Sequence, residues 1–130
     1  MVPLPPVEAS PNGRLDRRRR IGGLAAYRDE VALLAREAAR REGWSWRGPV
    51  RLSMVWGIRG GRAHDGRYRP ADVDNAVAAA KPLIDGLRLA GVIADDRWEL
   101  LELGQVRAER GGGPWVRVVL EVAGHEEAPG

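Results

Sequence analysis

Asp72-Val73-Asp74-Asn75, then Lys81, then Asp95-Asp96 are the residues of this chain best suited to chemistry. In extended backbone, carboxylates at i and i+2 project from the same side of the chain, close enough to share a hard cation. Aspartates in this pattern hold magnesium against phosphate, where the ion activates water and neutralises charge. Lys81 is the only lysine among 21 basic residues. Arginine presents a broad, permanently charged fork, whereas lysine is a compact ammonium whose pKa moves readily. A lone lysine in so arginine-rich a chain marks a position where that difference matters. These residues together point to metal-dependent chemistry on a phosphodiester. Simpler roles exist for the parts: Asp74-Asn75 as a helix cap, Asp95-Asp96 as a turn, and Lys81 with Asp85 as an i,i+4 surface pair.

The rest of the chain must position these groups. Its 130 residues suit one domain with one core. The start, Met1-Val2-Pro3-Leu4-Pro5-Pro6, has neither a basic n-region nor an apolar run, so no secretory leader is expected. No stretch approaches a membrane span, and the absence of cysteine excludes disulfides and thiolate metal sites. A soluble cytoplasmic protein without membrane partners is the expectation. Residues 1–69 hold 15 arginines against 7 acidic residues, a net +8, while residues 70–130 carry a net −5. The basic half is suited to tracking a phosphate backbone and the acidic half holds the candidate metal ligands.

Leu24, Tyr27, Val31, Leu34 and Ala38 recur at helical spacing and predict a helix over ~24–42, ending before Gly43. Val50, Leu52, Met54, Trp56 and Ile58 alternate with Arg51, Ser53 and Gly57, which predicts a strand with one buried face. Trp44, Trp46 and Trp56 are read as packing residues, and His64 and His125 are assigned no site. Asn75 is a candidate cap for a helix running toward Ala90, with Pro82 requiring either a start near Ala79 or a kink after Lys81. Unbroken from Asn75 to Ala90, that helix would run about 24 Å. Gly91 to Asp96 can return at most about 20 Å. Asp96 therefore reaches Asp74 only past a shortened or bent helix, by a tight return, or from a second subunit; the shortened helix is the expectation. Trp98–Glu109 and Trp115–Val122, around Gly111-Gly112-Gly113-Pro114, read as a hairpin. With a short strand at Val2–Leu4, the expected fold is a single α+β domain over residues 1–123. It has a small mixed sheet and two main helices in the order β-α-β-α-β-β, with a disordered tail at 124–130.

The run Asp72-x-Asp74-Asn75, Lys81-x-x-x-Asp85-Gly86-Leu87, Gly91, Asp95-Asp96 resembles the signature of RusA-type Holliday-junction resolvases. Ser10-Pro11-Asn12 and Ala26-Tyr27-Arg28-Asp29 are similar to that family's N-terminal loop and first helix, so the resemblance covers roughly residues 3–122. It implies a homodimeric endonuclease that depends on Mg²⁺, with Mn²⁺ as a substitute, and cuts branched, four-way DNA in the nucleoid. By position, Asp72, Asp74 and Asp96 would be the catalytic, metal-binding carboxylates, Lys81 the catalytic lysine, and Asn75 a positioning residue. Arg17, Arg18, Arg19, Arg20, Arg59, Arg62, Arg67 and Arg69 are the candidates for DNA-backbone contacts. In one respect the chain departs from the pattern: Ala76 to Ala80 lengthen the gap to the lysine by three residues, close to one helical turn. A haloacid-dehalogenase-type phosphatase also uses Asp-x-Asp, but it needs a hydrophobic strand leading into the motif, and Arg67-Tyr68-Arg69-Pro70-Ala71 is none. A non-catalytic DNA-binding module of the same fold and a nuclease preferring flaps or forks are the remaining alternatives.

Overall fold

The computed structural model describes residues 1–11, 17–59 and 65–123, with side chains throughout except at 17–20. Helix α1, Arg17–Glu42, starts seven residues before the apolar periodicity that predicts it. Arginine is a good helix former, so the basic run extends the helix. Tyr27 and Val31 are its buried anchors. The C-terminus closes on Gly43, whose positive φ suits a glycine. The Trp44 N–H bonds the Ala39 carbonyl at 2.9 Å and the Gly43 N–H bonds that of Arg40, a Schellman arrangement.

Strand β1, Val50–Gly57, buries Val50, Leu52, Met54 and Trp56 on one face, as its alternation requires. It is the centre of a three-stranded mixed sheet, flanked by β2 (Leu101–Glu109) in parallel and β3 (Trp115–Val122) in antiparallel register. The expected hairpin between the last two strands is therefore not formed, because β1 lies between them. Residues 110–114 instead cross the end of β1, where the Arg59 N–H bonds the Gly112 carbonyl at 3.0 Å. A strand at the centre of the core satisfies its backbone best with a neighbour on each side. β2 starts at Leu101 rather than Trp98, since residues 97–100 turn with the Leu100 N–H on the Arg97 carbonyl.

The expected first strand reduces to one bridge, Val2 to Val116. Pro3, Pro5 and Pro6 have no N–H to extend a ladder. Leu4 is nonetheless buried, and the Tyr27 hydroxyl donates to the Pro3 carbonyl at 2.7 Å, tying this segment to α1. A 3-10 turn follows at Val7–Ala9. The domain is α+β with a small mixed sheet, but its order begins with helix rather than strand.

Between β1 and β2 the chain forms two short helices, α2 (Val73–Ala79) and α3 (Lys81–Leu89). The helix carrying Lys81 starts close to the expected position near Ala79, with Ala80 as its N-cap, but a separate short helix precedes it, so the break falls at Ala80, one residue before the lysine. Pro82 then falls in the first turn of α3, where its missing N–H costs nothing. α3 packs on α1 at close range through Gly86, where an added Cβ would sit 2.7 Å from Val31 Cβ and 2.8 Å from the Arg28 carbonyl.

Candidate functional site

Breaking the helix at Ala80 makes Lys81 the first residue of α3 and aligns Lys81, Asp85 and Arg88 at i, i+4 and i+7 on one face. Gly91, at φ +78, ends the helix and turns the chain back. That return delivers Asp96 onto the same face. Lys81 Nζ lies 3.1 Å from Asp85 Oδ1 and 3.1 Å from Asp96 Oδ2. Arg88 Nη1 donates to the other oxygen, Asp96 Oδ1, at 3.1 Å. Asp95 accepts the Asp96 backbone N–H at 2.8 Å and pairs with Arg97 at 3.0 Å. Three cations and three carboxylates thus form one network across α3 and the turn after it.

The charges hold one another ionised. Hydrogen bonds that Lys81 donates to Asp85, then to Asp96, raise its pKa above the ordinary lysine value, so it is an ammonium at neutral pH. The Lys81 hydrogen bond in turn pulls the Asp96 carboxyl below the usual aspartate range, with Arg88 adding to it. A groove of about 390 Å³, lined by Arg28, Lys81, Asp85, Arg88 and Leu89, opens beside the network. With one ammonium and two guanidinium groups against the single Asp85 carboxylate, this lining is net positive and suits a phosphate oxygen.

Asp72 and Asp74 lie elsewhere. Asp72, rather than Asn75, caps α2: its Oδ1 accepts the Asn75 backbone N–H at 2.9 Å. Asp74 stands in the first turn, and both carboxylates are exposed. Asp74 is the second residue of α2, so residues 75–79 of that helix, about 7.5 Å at 1.5 Å per residue, and the break at Ala80 lie between the pair and Lys81. Among the described residues no three acidic or histidine side chains are gathered closely enough to hold a metal ion. The exposed pair Asp72 and Asp74 has the donor chemistry for a hard cation. Asp96, with both oxygens on cationic side chains, does not join them within one chain. The structure therefore unites Lys81 with Asp96 and leaves Asp72, Asp74 and Asn75 as a second group.

Of the arginines singled out in the sequence, two serve the fold. Arg69 pairs with Asp65 at 2.8 Å and donates to the Arg59 carbonyl at 3.0 Å. Arg67 donates to the Leu4 carbonyl at 3.1 Å. Arg59 is exposed. Arg62, His64, His125 and the 124–130 tail lie outside the described residues, as do the side chains of Arg17 to Arg20. Trp44 and Trp46 donate their indole N–H groups to the Val92 and Pro49 carbonyls, each at 2.8 Å; Trp44 packs against the core and Trp56 lies within it, as expected, whereas Trp46 is exposed. Sequence reasoning missed Arg88, for which the signal was its seven-residue offset from Lys81. It also missed Trp98, which reads as a strand residue but is 95% exposed beside the Asp95–Arg97 turn and so packs on little among the described residues.

Comparison of the chain with protein-family models, with curated proteins and with solved structures finds no match in any of the three. The functional reading accordingly rests on the residues themselves and on where the fold puts them.

Proposed function

We propose that this protein is a Mg²⁺-dependent endodeoxyribonuclease of RusA type, acting as a homodimer on four-way DNA junctions by paired phosphodiester cleavage. The observation that carries this reading is the meeting of Lys81 and Asp96, fifteen residues apart in sequence, at 3.1 Å. A chance surface lysine has no reason to be met by the acidic pair that the resemblance names. The cation-lined groove beside them supports a phosphate-bearing substrate, with Lys81 and Arg88 balancing charge on the phosphate. Asp72 and Asp74 would hold the metal, Mg²⁺ or Mn²⁺, which when bound supplies an activated water and charge neutralisation. The separation of these two aspartates from Asp96 within one chain favours a composite site, in which one copy contributes Asp72 and Asp74 and the other contributes Asp96 and Lys81. Two such sites related by a two-fold axis match a junction that needs two symmetric cuts.

One observation favours a second reading. Asp96 is held by two cations and no three-carboxylate cluster forms among the described residues, which is what a non-catalytic DNA-binding module of this fold would show. Asp74→Asn and Asp96→Asn separate the two readings. Each variant alone is expected to bind a synthetic junction without cutting it, and an equimolar mixture, after subunit exchange, to regain nicking. Mixtures that stay inactive exclude sharing between subunits, and single variants that cut as the native chain does exclude the carboxylates from catalysis.

A further inference from the structure

β2 is an edge strand: β1 lies on one side of it, and among the described residues no strand lies on the other. Its ladder to β1 carries a bulge, because Leu52 faces Leu103 and Met54 faces Val106, which leaves Gly104 and Gln105 against Ser53. Leu101, Leu103, Val106 and Ala108 therefore share the face of the buried β1 residues, and Glu102 and Arg107 share the opposite face. The Leu100 and Glu109 carbonyls bond into β1, to the Val50 and Ile58 N–H groups. Because backbone direction alternates along a strand, Leu103 and Val106 turn their N–H and carbonyl groups away from β1. Leu103 is 45% exposed, and Glu102, Arg107 and Ala108 are exposed with it. Glu102 pairs with Arg51 at 2.8 Å, whereas Arg107 makes no ion pair among the described residues. An edge of this kind is a template for another strand.

We propose that the outer edge of β2 pairs antiparallel with β2 of a second copy, joining two three-stranded sheets across a two-fold axis. The occupant is a second copy because the edge complements itself in one register. With the axis between Gly104 and Gln105, Glu102 of each copy lies opposite Arg107 of the other, Leu103 opposite Val106, and Leu101 opposite Ala108. The bulge falls at the centre, so each of these pairs matches faces. Any other register that spans the bulge sets a residue of one face against a residue of the other. Registers confined to one side of it stack Glu102 on Glu102 or Arg107 on Arg107. Opposite charges facing each other across a ladder stabilise it, and like charges destabilise it. The pairing stands on strand geometry, and its consequence for the site rests on the nuclease reading above. Asp72 lines the same cavity as Ala108 and Arg110. In the paired edge, Ala108 of one copy lies opposite Leu101 of the other, which follows Asp96 of that copy by five residues. The edge thus brings the α2 aspartates of each copy toward Asp96 of its partner, at two sites related by the axis.

The test is sedimentation velocity on the native chain and on two charge reversals, Glu102→Arg and Arg107→Glu. The native chain is expected to be a dimer at micromolar concentrations. Each reversal sets like charges opposite each other twice and should raise the dimer dissociation constant by at least about tenfold. An equimolar mixture of the two reversals sets arginine against glutamate at both places and should recover the native dissociation constant as a heterodimer. Leu103→Lys, at an exposed position beside the axis, should weaken the dimer in the same way and serves where a reversal does not fold by circular dichroism. A monomeric native chain, a dimer that these variants leave intact, or reversals that do not recombine on mixing overturns the proposal. Junction cleavage in Mg²⁺ on the same preparations keeps the two readings apart. A dimer that responds as expected but cuts nothing upholds the edge and removes the nuclease, whereas cutting by a dimer indifferent to the variants removes the edge alone.

Discussion

Lys81 owes its state to geometry that a short spacing rule captures only in part. Its pairing with Asp85 is legible from the i,i+4 interval. Its pairing with Asp96 is not, because that depends on where α3 begins and how Gly91 returns the chain. The Asp72 cap was hidden for a similar reason, since Asp72, Asp74 and Asn75 all have side chains suited to capping and the sequence favours Asn75 equally well. The linked pKa shifts give a test. In Lys81→Gln, Asp96 loses its largest source of depression, so its titration midpoint, followed by carboxyl-carbon NMR, should move up toward the ordinary aspartate value of about 3.9. Because the native Asp96 pKa is depressed, its pairing stabilises the fold above the unfolded value and is lost as pH falls through the folded one. The native chain should accordingly lose stability more steeply than Lys81→Gln below about pH 4. An unchanged Asp96 midpoint would mean that Arg88 alone sets its charge.

At the scale of elements, the amphipathic stripe of α1 and the alternation of β1 were legible because a single periodicity governs each. Pairing partners were not. The glycine-rich turn after β2 has the composition of a hairpin loop, yet β1 occupies the place between the two strands. Local turn chemistry does not report that a strand with two unsatisfied edges lies nearby. The Val2 bridge in place of a strand follows from Pro3, Pro5 and Pro6, which have no N–H to give a ladder. The α1–α3 contact was also hidden, since Gly86 reads as a helix-weakening residue until the neighbouring helix is in view. Gly86→Ala would raise intrinsic helix propensity but drive a methyl into Val31 and the Arg28 carbonyl. It should destabilise the domain by about 1–3 kcal/mol in urea unfolding. A neutral or stabilising result would show that α3 can slide away from α1, and with it the Lys81 network.

For the whole molecule, the uneven charge seen in the sequence meets a fold in which the candidate carboxylates form two groups on successive helices. The exposed carboxylates at the start of α2 are available to a cation, whereas those facing α3 are already matched with arginine and lysine. On the proposed reading, a complete site would combine the Asp72 and Asp74 of one copy with the Asp96 of another. Spacing raised that arrangement as one alternative, because Gly91 to Asp96 cannot reach back along an unbroken helix, but it favoured a shortened helix within one chain. The central claim is tested most directly with the native chain on a synthetic mobile four-way junction, beside a matching duplex and a flap, in Mg²⁺ or EDTA. The expected result is paired, symmetric nicks confined to the junction and dependent on metal. Junction binding without cutting in either Mg²⁺ or Mn²⁺ would contradict the account and leave a DNA-binding module, and cutting of the flap alone would assign the nuclease a different substrate.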